Sequence, residues 1–167
     1  MAEYVSQTDN TEESEKPNPF YVMSEALNKS AEEALRETCR LACENMQEKL
    51  IQDGHVKSGE LVDSIDYTMI HANDKVSAFI KMNNYGRYID EGTGAAHGVP
   101  NGREGYWRYK DKNGNWHTTN GMAADPFIDI SLEKAIMSLP EELLKQLEKA
   151  NDELQASKAA NKAGGSS

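Results

Sequence analysis

Tyr67-Thr68-Met69-Ile70-His71-Ala72-Asn73-Asp74-Lys75-Val76-Ser77-Ala78-Phe79-Ile80-Lys81-Met82 is the stretch that decides the fold class. Tyr67, Met69 and His71 alternate with Thr68 and Ile70, the period of two that a half-buried strand imposes. Ala72-Asn73-Asp74 supplies turn residues, after which Val76, Ala78, Ile80 and Met82 alternate with Ser77, Phe79 and Lys81. Two such runs joined by a tight turn predict an antiparallel hairpin.

On either side the period changes to that of a helix. Upstream, Leu27, Ala31, Ala34, Leu35, Thr38, Ala42, Met46 and Leu50 recur at steps of three and four, between Ser24 as N-cap and Gly54 as stop. That predicts a helix of about 28 residues, about 42 Å long. Cys39 and Cys43, the only cysteines, lie four apart on it. A zinc site needs about four ligands and a disulfide between successive turns is sterically poor, so both read as reduced, small hydrophobes. Downstream, Asp125 as N-cap and Pro126 at the first helical position open a helix whose apolar face is Ile128, Leu132, Ala135, Ile136 and Leu139. Pro140 removes a backbone donor, and Ser138 with Glu141 has capping-box spacing. A second helix or a kinked continuation follows, with the stripe Leu143, Leu147, Ala150 and Leu154.

Between hairpin and closing helix, residues 92–121 are Gly-rich, polar and too long for a plain connection. Tyr106-Trp107-Arg108-Tyr109 and Asn115-Trp116-His117-Thr118 flank Asp111-Lys112-Asn113-Gly114, a signal for a second, projecting hairpin. Trp107, Tyr109 and Trp116 are its candidate interface residues. They suit cross-strand pairing and contact with a partner equally. The expected fold class is α+β: a long N-terminal helix and C-terminal helices packed on a small antiparallel sheet of about four strands, with a projecting loop-hairpin. One domain, 20–157, is expected between a disordered acidic tail (1–19), in which Pro17 and Pro19 oppose helix, and a small, polar, flexible tail (158–167).

The formal net charge is −10, the reverse of what phosphate neutralisation requires. No apolar run approaches the roughly 20 residues that span a bilayer, and Met1 to Pro19 lacks the features of a secretory signal. Gly92-Thr93-Gly94-Ala95-Ala96-His97-Gly98 lacks the Gly-Lys-Ser/Thr ending of a phosphate loop. Asp90 and Glu91 are adjacent and expected to point apart, and Glu104 sits on the loop, a poor set for paired-carboxylate hydrolysis. His97 and His117 are scattered in polar sequence, a weak basis for a metal site with Asp90 or Glu104, and no nucleophile-elbow sequence occurs. No residue is therefore assigned a catalytic, cofactor-binding or metal-binding role.

Three segments stand in order: Val56-Lys57-Ser58-Gly59-Glu60-Leu61-Val62-Asp63-Ser64-Ile65, Tyr85-Gly86-Arg87-Tyr88-Ile89-Asp90-Glu91-Gly92-Thr93, and Asp125-Pro126-Phe127-Ile128. In this arrangement the chain, over about residues 24–139, resembles the head–tail connection (tail-completion, or neck) proteins of long-tailed bacteriophages and prophages. In that family Gly-x-Leu and Ser-Ile open the sheet, a Tyr-x-x-Tyr-hydrophobic-acid-x-Gly-Thr segment follows a strand, and Pro-Phe starts the closing helix. The matching positions are Ser58, Gly59, Leu61, Ser64, Ile65, Tyr85, Tyr88, Asp90, Gly92, Thr93, Pro126 and Phe127. Glu91 departs from the family, where an aromatic or apolar residue is usual. Tyr85 and Tyr88 can bury their rings while each hydroxyl finds a partner such as Asp90 or a backbone group, so the segment reads as a structural clasp between strand and loop.

The resemblance implies a structural virion protein without enzymatic activity, assembled in the bacterial host cytoplasm. Copies would form a sixfold or twelvefold ring that contacts other neck, portal-proximal and tail proteins, with no membrane partner. DNA would pass through without specific binding, and an acidic lumen would help it slide. The alternatives are a phage-encoded cell-wall hydrolase using Glu91 or Glu104, and a monomeric protein-binding adaptor.

Overall fold

Ser30, Ala34, Thr38, Ala42, Met46 and Leu50 form a row at spacing four, and every one of them is buried. They lie on α1 (Pro19–Gln52) of a computed structural model that describes residues 19–164 other than 74 and 112. A row at spacing four creeps about 40° round a helix at each step. The buried line therefore turns as it descends, with small residues above and Met46 and Leu50 below.

The partner is α4 (Phe127–Gly164), which runs antiparallel. Ser30 Oγ donates to Gln146 O (3.3 Å) and Asn45 Nδ2 to Ser131 O (3.5 Å). The step from Ser30 to Asn45 equals that from Gln146 back to Ser131, so both bonds belong to one register. In that register buried Ser131 and Ala135 lie at the level of Ala42, and Thr38, Ala34 and Ser30 follow farther up α1, so the seam is lined by small residues that let the backbones approach.

At the lower end sits the core: Cys43, Met46 and Leu50 of α1, Leu61 of α2 (Glu60–Ser64), Ile65, Ile89 of α3 (Tyr85–Asp90) and Phe127. Each of the three ordered segments thus delivers its apolar residue to one cluster. Cys39 and Cys43 are free and buried, and burial pushes the Cys43 thiol up to about 11. Strands β1 (Asp66–Ala72) and β2 (Lys75–Lys81) pair antiparallel, with Tyr67 opposite Ile80 and Met69 opposite Ala78. Tyr67 and Ile80 pack on the core, whereas Ile70 and Phe79 on the other face are exposed. The second hairpin, β3 (Trp107–Lys110) with β4 (Trp116–Thr119), is a separate sheet.

The α+β class stands, with several corrections. The four strands form two ribbons instead of one sheet, because α3 and a closed loop intervene between them. Helix α1 starts at Pro19, not Ser24: a proline costs a first turn no bond, and Ser24 Oγ donates back to Tyr21 O (2.8 Å) within the helix. Residues 1–18 lie outside the described residues. Leu27 is exposed, whereas Cys39 and Cys43 join the buried side. Helix α4 passes through Pro140 undivided, because contacts with α1 hold it on both sides, and Ser138 Oγ donates to Ala135 O (2.7 Å) instead of capping a new helix. It continues past Lys158 to Gly164, since Ala156, Ala159 and Ala160 are strong helix formers.

Phe127→Ala should destabilise the chain by about 3–5 kcal/mol in urea unfolding, because its ring is wholly buried. Lys149→Ala, at an exposed position of the same helix, should stay within about 0.5 kcal/mol of the parent.

Candidate assembly interface

The segment from Ser58 to Phe127 builds a platform and stands an arm on it. Gly59 takes φ +79° at the start of α2, and Asp63 N–H donates to its carbonyl (2.9 Å). It occupies the N-cap position. Ser64 Oγ accepts from Asn83 N–H (3.0 Å), and Asn83 Oδ1 from Tyr85 N–H (2.9 Å), which sets α3 at the end of β2.

Because Tyr85–Asp90 is helical rather than extended, its inward residues are three apart: Gly86 and Ile89. Tyr85 and Tyr88 therefore face outward, 44% and 55% exposed, which corrects the expectation that they bury their rings. Asp90 Oδ1 accepts from Ile128 N–H (2.9 Å) and so caps α4 from a segment 38 residues earlier. Burial pushes the Asp90 carboxyl up, and the Ile128 N–H opposes this. Asp125, the cap expected from sequence, is turned elsewhere: its carboxylate lies 3.0 Å from His55 Nε2 and 3.3 Å from Lys49 Nζ.

Thr93 then exchanges backbone hydrogen bonds with Met122, N–H to O at 2.9 Å and 2.8 Å, which closes residues 94–121 into a loop with a narrow neck. The neck leaves no room for side chains. At Gly121, where φ is +108°, a Cβ would land on Thr93 O, and at Gly94 on Asn120 O.

The arm beyond the neck is stiffened by one carboxylate. Asp111 Oδ1 accepts from Asn113 N–H (2.9 Å) and Asn115 N–H (2.8 Å), and His117 Nε2 lies 2.9 Å from Asp111 Oδ2. These partners, His117 first, hold the Asp111 carboxyl down at about 2. The His117 ring stacks on Tyr109 at 5.3 Å.

Pairing of Trp107 with Thr119, Arg108 with Thr118, Tyr109 with His117 and Lys110 with Trp116 gives the arm two unlike faces. Trp107, Tyr109 and Thr119 look across a cleft of about 1220 Å³ toward Tyr85, Arg87 and Tyr88 of the platform. The opposite face carries Arg108, Lys110 and Trp116. The Arg108 Cζ lies 4.9 Å and the Lys110 Nζ 5.0 Å from the Trp116 ring centroid, and that ring is 58% exposed. Neither cation has a carboxylate partner among the described residues. The three aromatics singled out from sequence are therefore divided between two faces, and no cross-strand aromatic pair forms between the tryptophans.

The residues weighed for other chemistry do not converge. Glu91 pairs with Arg87 (2.9 Å), Asp90 is the helix cap, and Glu104 and His97 are exposed on the loop. Among the described residues no three His, Cys, Asp or Glu side chains group to hold a metal, and no helix is long and apolar enough to cross a membrane. Sequence reasoning missed Arg108, Lys110 and Asp111. The signal was present in Trp107-Arg108-Tyr109-Lys110, whose alternation assigns cations to one face and aromatics to the other. No protein-family model, curated protein or solved structure matches this chain.

Gly121→Ala should open the neck, lowering stability by about 1–3 kcal/mol while Gly114→Ala, in open space, costs less. Both tryptophans lie on the arm, so their fluorescence reports it alone. A carboxyl lowered from 3.8 to about 2 contributes stability above pH 4 that is lost as pH falls through about 2. The fluorescence should hold to pH 4 and change between there and pH 2, and Asp111→Asn should remove that step.

Proposed function

We propose that this chain is a structural protein of the head–tail junction of a long-tailed bacteriophage, working as a ring of identical copies that joins head to tail and keeps the DNA channel continuous. The observation that carries this reading is the arm. It stands off its own platform through a glycine-closed neck and presents an exposed tryptophan between two cations that have no carboxylate partner in the described chain. An arm of that construction is suited to contact with another molecule.

Two further features support the proposal. The three segments that resemble neck proteins supply Leu61, Ile65, Ile89 and Phe127 to one core and Asp90 to the cap of α4, so they act together to build the platform. The single chain also leaves Ile70, Phe79, Ile130, Ile136, Met137 and Leu144 exposed, apolar side chains that contact between copies would cover. Assembly then proceeds through complementary surfaces, and no bond-making step is required of any residue.

Negative-stain images and light scattering of the purified chain, alone and with phage tails, test this. Rings with a central channel are expected. A chain that is monomeric at all concentrations and does not dock on tails would contradict the proposal. Clearing of a cell-wall suspension that is lost in Glu91→Gln or Glu104→Gln would instead support a hydrolase.

A further inference from the structure

Helix α4 carries a second unpartnered surface. Ile130, Met137 and Leu144 are seven apart and 47%, 77% and 62% exposed. At about 100° per residue they lie on one line, with Glu133, Glu141 and Glu148 within about 40° of it and Lys134 at its margin. This is an apolar stripe about 21 Å long with an excess of negative charge. The arm is its counterpart. Residues 94–121 hold four Lys or Arg against two acids in a chain of net charge −10, and the outward face sets Trp116 between Arg108 and Lys110.

We propose that the outward face of the arm of one copy docks on the Ile130–Met137–Leu144 stripe of the next copy, with Arg108 and Lys110 meeting Glu133 and Glu141. The inference rests on the ring reading and names the contact that builds the ring. Charge selects the occupant. Two stripes facing each other would oppose acid to acid, and two arms cation to cation, so neither surface pairs with itself. Arm on stripe satisfies both. Such a contact is heterologous, and repetition of a heterologous contact closes a ring when the rotation permits. The dimensions agree: a four-residue ribbon is about 14 Å long and fits within the stripe. The cations already resting on the Trp116 ring favour a protein surface over nucleic acid, whose bases would need that ring face for stacking.

Charge exchange tests the contact. Arg108→Glu with Lys110→Glu, or Glu133→Lys with Glu141→Lys, should each raise the concentration for half-assembly at least about tenfold, with the circular dichroism of the fold unchanged. Mixing the two variants should restore assembly, because each arm then meets a stripe of opposite sign. All four substitutions in one chain should restore it too. If the wild type forms rings and the variants do so equally well, or if mixing does not restore assembly, the contact is wrong while the ring reading stands. A wild type that remains monomeric to millimolar concentration overturns both. Quenching of the arm tryptophans by an oligo(dT) strand bound to a single copy of the chain would assign the arm to nucleic acid and overturn the contact.

Discussion

The antiparallel seam between α1 and α4 is the constraint on which the other parts depend. Its register is set by Ser30 to Gln146 and Asn45 to Ser131, and its closeness by the small residues between them. Because the buried row of α1 steps by four, it turns round the helix and presents Met46 and Leu50 where α2, α3 and the start of α4 converge. Phe127 and Ile89 close that cluster, and Asp90 joins it to the first turn of α4. The neck at Thr93 and Met122 follows directly from where those two segments are held.

A division of labour between buried and exposed residues results. The seam consumes the small and medium apolar residues of both long helices and leaves the far side of α4 free for Ile130, Met137 and Leu144. The arm, held by backbone pairing and glycine at its neck, leaves Tyr106, Tyr109 and Trp116 exposed, and the Asp111 carboxylate ties its turn together. An acidic body with a locally cationic arm has attraction between unlike parts of neighbouring copies built into its charge pattern. In the proposed ring, the surplus of acid left over would face the channel or the solvent, either of which lets DNA pass without being held.

Much of the architecture was legible because its signals are local. Alternation marked β1 and β2, the Asn113-Gly114 turn marked the arm, and steps of three and four marked both long helices. What escaped depended on residues far apart. Asp125 looked like the cap of α4 by position, yet Lys49 and His55 take its carboxylate and Asp90 takes the cap. Tyr85 and Tyr88 read as able to bury their rings against strand and loop, and a short helix whose inward residues are Gly86 and Ile89 turned them out. Pro140 read as the start of either a second helix or a kinked continuation, because sequence shows the lost donor and not the two hydrogen bonds to α1 that hold the helix on either side of it. Trp107 and Tyr109 stand on one face of the arm and Trp116 on the other, a separation that the alternation of Trp107-Arg108-Tyr109-Lys110 carries in the sequence.

Head-to-tail assembly requires that the arm of one copy reach α4 of its neighbour. Disulfide trapping in a chain carrying Trp116→Cys and Met137→Cys asks this directly, since the native Cys39 and Cys43 are buried and burial raises both thiols. Under mild oxidation the double variant should give a ladder of covalent oligomers, with each single variant giving no more than a dimer. A double variant that yields only monomers, or only the dimers of the single variants, would contradict head-to-tail assembly through the arm.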